Sequence, residues 1–369
     1  SYLSSLSVEK QQLGIRIFIM FLITIPLNSG MSIIMAFQQA NFKFSYPAIS
    51  LILLNIIVII FVLLFSDLLA ILILPISFVA AYFAAFIFLV VFVKENLTFL
   101  SKDLFKIKYN FSEIRILIAL IIIEGSSLSY VLIDRYFISD VSTGGIAALN
   151  YAFVIFSLPI SLFSIPLITT MFSKFSNSPQ TLNADFKNSL NMNFFIMIPF
   201  IFIFFFWGDY FLQLFYERGK FTSEDTLLTF SALQYYSFSL VFLSTYFLIV
   251  KILYSISQYL FVLKISLAAF VLKIALNILL VNDFQQDGLA LSTSVIFIFL
   301  FTMSYFFGIK KVIIKDYHNL FLAGLYFLFN ASLSYACVKI ISTLFNFEFI
   351  SFHLVGLVLF SILYLSISL

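Results

Sequence analysis

The feature that most constrains this chain is a row of apolar windows. Each is about 20 residues long, enough to cross a ~30 Å hydrocarbon core as a helix. Eleven can be marked: 15–37, 47–65, 68–93, 113–138, 146–172, 188–206, 227–250, 258–281, 288–308, 319–343 and 350–369. No soluble domain of useful size fits between them. Charged residues make up 10% of the chain, against about 25% in soluble proteins. In hydrocarbon each backbone N–H and C=O must be paired within its own segment, so such windows become helices. The sequence therefore reads as an all-α polytopic membrane protein.

The loops carry a direction. Counting from the N-terminal tail, the even set (38–46, 94–115, 173–187, 251–257 and 309–318) holds twelve Lys and Arg, and the odd set holds four. The positive-inside rule places the even set in the cytoplasm. The N-terminal tail then lies outside and the C-terminus inside. With Ser1 at the start, an odd number of further spans is expected upstream. Segment 94–112 is basic and amphipathic, and is expected to lie on the inner membrane surface. In the outer loop 207–226, Thr222 or Ser223 is expected to cap the following helix, with acids in its first turn.

Charges inside the windows are the informative ones, because each costs about 2.5–3.5 kcal/mol on insertion scales. Glu124, Asp134 and Arg135 all fall in window 113–138. Glu124 and Arg135 are eleven residues apart. That is three turns plus about 20°, so they share one helix face about 16 Å apart along the axis. Ser127 flanks that face, Leu128 and Val131 lie between the charges, and Asp134 points about 100° away. This predicts a cavity-lining face on which Arg135 attracts an anion through its fork of donors. Glu124 is expected to take a coupling monovalent cation or proton, and no other cofactor is expected. The bland assignment for Asp134 and Arg135 is the outer interface, settling a helix end. Lys273 shares a face with Asn277 and is predicted to line the cavity. Asn150 and Tyr151 are expected near an outer gate. Pro159 and Pro166 predict a bent helix.

Other chemistry is lacking. The sequence has no HExxH, CxxC or P-loop signature, and its one cysteine, Cys337, sits in an apolar run. An enzyme is not expected. A membrane glycosyltransferase would need acids or histidines in sizeable outer loops, and only 207–226 qualifies. The net charge of +3 does not suggest a nucleic-acid partner.

Several stretches resemble one family in order along the chain. FQQANFKFSYPAISLILLN (37–55) comes first. IDRYFIS then leads to GGIAALNYAFVIFSLPISLFSIP, followed by LFYERGKFTSEDT (214–226) and DGLALSTSV (287–295). Together they resemble the MurJ/MviN lipid II flippases of the multidrug/oligosaccharidyl-lipid/polysaccharide exporter superfamily. The resemblance implies a 14-helix, two-bundle fold working by alternating access. Window 15–37 aligns with the family's fourth helix, which matches the outside tail and makes this an N-terminally truncated member. Residues 1–93 are then the remainder of the first bundle and 94–112 a linker. Residues 113–308 form the second bundle, and 309–369 two further helices grooved for a lipid tail. The implied cargo is an undecaprenyl-pyrophosphate-linked saccharide such as lipid II, flipped across the bacterial cytoplasmic membrane. Membrane lipids and the cell-wall synthesis machinery are the implied partners. The family's Asp-Arg after Tyr-Ala is Phe153-Val154 here, so the charge concentrates on the Glu124/Arg135 helix. The alternatives are an O-antigen or other exporter of the superfamily, or a non-transporting pseudoflippase.

Overall fold

The structure, a computed structural model, describes residues 8–93, 111–138, 144–177, 182–308, 317–345 and 349–368. Residues 94–110, nearly all of the expected surface linker, lie outside the described residues. The chain divides into two units, Ser1–Lys108 and Tyr109–Leu369.

In the first unit, α1 (Val8–Ala40), α2 (Ser45–Leu69) and α3 (Ile73–Val93) pack around Met31, Ile34, Leu54, Ala81, Ala85 and Leu89. Gly30 lets α1 approach α3 closely, since a Cβ there would stand 2.7 Å from the Phe86 ring. Small residues serve this purpose where lipid-facing helices cross. Pro75 falls in the first turn of α3, where a missing N–H costs nothing. The outward surface is apolar: Leu63 and Leu68 are 75% and 79% exposed. In water such a patch would aggregate, whereas in lipid it is the expected outer face.

The second unit holds α4 (Phe111–Ile138), α5 (Gly145–Pro159), α6 (Ile165–Asn177), α7 (Leu182–Tyr216), α8 (Ser223–Ser237), α9 (Leu240–Ser255), α10 (Tyr259–Met303), α11 (Tyr317–Phe345) and α12 (Phe349–Ser368). Gly144 caps α5 at φ 87°, a conformation that glycine adopts at little cost. A single widened π turn, Ile160–Ser164, separates α5 from α6. It sits between Pro159 and Pro166. Pro166 cannot donate to the carbonyl four residues back, and the widened turn absorbs that gap. Thr222 is the cap of α8, in a reciprocal box: its Oγ1 accepts from the Asp225 N–H, and Asp225 Oδ2 accepts from the Thr222 N–H at 2.9 Å. The core runs through Phe156, Leu190, Met197, Trp207, Leu233 and Leu240. Fully buried Trp207 on α7 meets Tyr335 of α11 at 5.7 Å and Phe360 of α12 at 5.6 Å. The Tyr364 hydroxyl donates to the Phe195 carbonyl at 2.9 Å. These contacts seat α11 and α12 on α7.

Every apolar window falls on a helix. Among the described residues, eight helices are long and apolar enough to cross a membrane, or nine if α8 and α9, bent by 48°, make one span. The gap from eleven has two causes. Helix α10 carries two windows, and the described apolar run of α12, Val355–Ser368, is short. The molecule is an all-helical, multi-pass membrane protein.

Candidate functional site

Helix α10 creates the site by folding back on itself. A straight helix of its 45 residues would be about 68 Å long, twice the hydrocarbon thickness. At Gln285 the backbone leaves the helical region (φ 48°, ψ −127°). The arms 259–284 and 286–303 then lie side by side. Lys273 Nζ reaches Ser292 Oγ at 2.8 Å and Thr293 Oγ1 at 2.6 Å. In a straight helix those residues would be about 28–30 Å apart. Gly288 permits the return, because a Cβ there would collide with the Leu280 carbonyl.

Lys273 and Asn277 stand one turn apart on the first arm and present a joint polar face. Asp134 of α4 meets it. Lys273 Nζ lies 2.7 Å from Asp134 Oδ1, with the lysine side chain fully buried and the aspartate side chain 11% exposed. Asn277 Nδ2 donates to the same oxygen at 2.8 Å. Ser292 Oγ donates to Asn277 Oδ1 at 2.5 Å. The result is a closed ring: Lys273 donates to Ser292, Ser292 to Asn277, and Asn277 and Lys273 to Asp134. Leu289 O accepts from the ammonium at 3.3 Å. A buried ion pair persists only when its remaining donors and acceptors are also satisfied, and here they are.

Asp134 also faces a cavity of about 200 Å³ bounded by α4, α5, α8, α9 and α10. Its walls are mostly apolar and aromatic, with Phe153, Phe247, Leu243 and Phe297 among them. Polar groups come from Ser127, Asn150 and the tyrosines 130, 236 and 246. Asp134 and Arg135 are the charged lining residues. The neighbours differ sharply. Asp134 is buried and neutralised. Arg135 is exposed, with its Nη2 3.4 Å from Asn150 Oδ1, and among the described residues no carboxylate pairs with it. A fork of donors at the edge of an apolar cavity suits an oxyanion.

The sequence-predicted residues divide accordingly. Arg135, Asp134, Ser127 and Asn150 line one cavity. Lys273, Glu124 and Tyr151 are not among its lining residues. Lys273 does not line the cavity: the fold-back of α10 surrounds its ammonium with oxygens behind the wall. Glu124 shares the exposed face of α4 but is not among the lining residues, consistent with its ~16 Å axial distance from Arg135. Tyr151 turns away onto Tyr216 and Phe221, with ring centroids at 4.6 and 5.2 Å, and braces the loop before α8. Asp134 is not a free end-capping charge, since its carboxylate is buried against α10. Sequence reasoning missed Ser292, Thr293 and the lining tyrosines. The adjacent hydroxyls in DGLALSTSV were a usable signal. Three among 19 tyrosines were not. Among the described residues, no cluster of His, Cys, Asp and Glu offers a metal site.

Residues 2–365 match the family described as "Lipid II flippase MurJ". The chain belongs to the MurJ family. It is 29% identical over 208 residues to the probable lipid II flippase MurJ of Borreliella burgdorferi, covering 52% of this chain and 41% of that protein. It is 30% identical over 185 residues to the lipid II flippase MurJ of Thermosipho africanus, covering 49% and 38%. The matches thus span about two fifths of those MurJ relatives' length. A solved structure, "Lipid II flippase MurJ, inward closed conformation", superposes with a TM-score of 0.70 at 23% identity, covering 99% of this chain and 76% of that one. A point mutant of the Vibrio cholerae MATE transporter VcmN shares the fold at TM-score 0.62 and 12% identity, covering 78% and 67%.

Proposed function

We propose that this chain moves an undecaprenyl-pyrophosphate-linked saccharide, a lipid II-like peptidoglycan precursor, across the bacterial cytoplasmic membrane by alternating access. The observation that carries this reading is Arg135, a cation with no carboxylate partner among the described residues, at the edge of an apolar cavity. A pyrophosphate cannot enter hydrocarbon unaided, because burying an unpaired charge is prohibitively costly. A guanidinium fork inside the span replaces part of its hydration. Asn150 holds that guanidinium from α5, and Ser127 adds a hydroxyl to the same wall. The lipid tail stays in the bilayer while the head group crosses. The relatives' names as lipid II flippases support the cargo class. The basic bias of the even loops supports a cytoplasmic C-terminus.

Arg135→Ala in the full-length protein is expected to abolish complementation of a flippase-depleted strain at unchanged membrane levels. Arg135→Lys keeps the charge without the fork and is expected to restore growth in part. Full growth of the alanine variant would remove Arg135 from the site. Cysteines at Ser127 and Val131 are expected to react with a water-soluble thiol reagent, since both line the cavity. Protection of both would mean that head groups do not reach this wall.

A further inference from the structure

The cavity has two formal charges on its lining, carried by consecutive residues of α4. Their fates are set by a third residue that the cavity never sees. Asp134 turns part of its carboxylate to the cavity, with 11% of its side chain exposed, while the lysine that holds it is wholly buried. With Lys273 in place, the aspartate charge is cancelled from behind and the lining charge that remains is Arg135, a net +1. Without Lys273, Asp134 and Arg135 cancel each other, and a carboxylate that has lost its closest donor faces the cavity. Asn277 and Thr293 still touch that carboxylate, at 2.8 and 3.4 Å, but bring no charge.

We propose that Lys273 sets the charge preference of this cavity: it makes an anion site of a wall that would otherwise carry no net charge. Lys273 is a positioning residue, acting on Asp134 and through it on any occupant. The inference rests on the anion-site reading of Arg135 given above. It adds that anion preference is a property of the α4–α10 ring as well as of the arginine. Removing a single charge just behind the wall of a partly desolvated site is expected to change affinity by about fivefold or more.

The test uses two small aromatic ions of opposite charge, phenyl phosphate and benzylammonium, titrated onto the full chain in lipid nanodiscs with ligand-observed NMR. The wild type is expected to prefer phenyl phosphate by about fivefold or more. Lys273→Met is expected to lose that preference and to bind benzylammonium more tightly than the wild type does. Asp134→Asn combined with Lys273→Met removes both members of the pair and leaves Arg135 alone. It is expected to prefer phenyl phosphate again, which a purely structural role for Lys273 does not predict. Lys273→Arg keeps the charge and is expected to behave as wild type. Should Lys273→Met not yield folded protein, Lys273→Gln keeps a donor for Ser292 and carries the same expectation. If a folded Lys273→Met or Lys273→Gln chain keeps the wild-type preference, Lys273 is only a cross-brace and the proposal falls while the arginine site stands. If Arg135→Ala leaves phenyl phosphate binding intact, the anion site itself is wrong and both readings fall together.

Discussion

Two buried polar networks run through the second unit, and they differ in charge and in access to the cavity. The first joins α4 to both arms of α10 through Asp134, Lys273, Asn277, Ser292 and Thr293. The second is neutral. Ser164, at the end of the π turn, donates to Asn193 Oδ1 of α7 at 2.9 Å, and Asn193 Nδ2 donates to Ser244 and Thr245 of α9 at 2.9 and 3.0 Å. Both tie three helical segments together with satisfied hydrogen bonds. The neutral network is sealed, with none of its residues on the cavity lining. The charged one has Asp134 and Thr293 on it. Amides and hydroxyls suffice to cross-link helices in lipid at about 0.6–2 kcal/mol per contact. Formal charges add a desolvation cost that cross-linking alone does not require. The contrast is one of access: the charged network presents Asp134 and Thr293 to the cavity, whereas the Asn193 cluster only holds helices.

The contrast can be broken in order of expected effect. Asp134→Asn leaves the Lys273 ammonium buried without a counterion, and is expected to cost about 3–5 kcal/mol. A fluorescence-detected thermal scan of the purified protein should show the drop, with most of it recovered in the Asp134→Asn, Lys273→Met pair. Equal losses in the single and double variants would mean that the charges are not what matters there. Asn193→Leu is expected to cost about 1–3 kcal/mol, the penalty for leaving hydrogen-bond partners unpaired. That cost is moderated because Ser244 and Thr245 each keep a bond to the Val241 carbonyl. Transport per folded molecule should not change, and a specific loss of transport at normal abundance would erase the distinction between the networks. Ser292→Ala opens the ring at one neutral link and is expected to cost about 1 kcal/mol, with the anion preference kept. Smallest of all, Glu124→Gln, exposed and off the cavity lining, is expected to alter complementation little. Loss of growth there would restore the coupling role expected from sequence.

What was legible in the sequence was local. Each span announced itself by a predominantly apolar window. The cap of α8 was narrowed to Thr222 or Ser223 by the acids of its first turn, and it is Thr222; the 100° step separated Asp134 from the face of Arg135. The break between windows 258–281 and 288–308 was legible as well, although residues 282–287 contain neither Gly nor Pro. The partner of Asp134 was not. Asn277 lies 143 residues away, and no periodicity within α4 encodes which helix covers its buried side. Lys273 was misassigned for the same reason. Helical spacing gave its face correctly but could not say that the returning arm of α10 would close over that face. Tyr151 was misplaced because its position beside Asn150 does not reveal that the chain before α8 offers two aromatic rings.

The chain has one tryptophan, and Trp207 sits at the junction of α7 with α11 and α12. An indole with no exposed surface emits in the blue, and its emission moves to the red when water or headgroups reach it. The molecule therefore carries its own optical reporter for the seating of its last two helices. No label or engineered residue is needed to watch whether that pair lifts from α7 when a lipid-linked substrate is added.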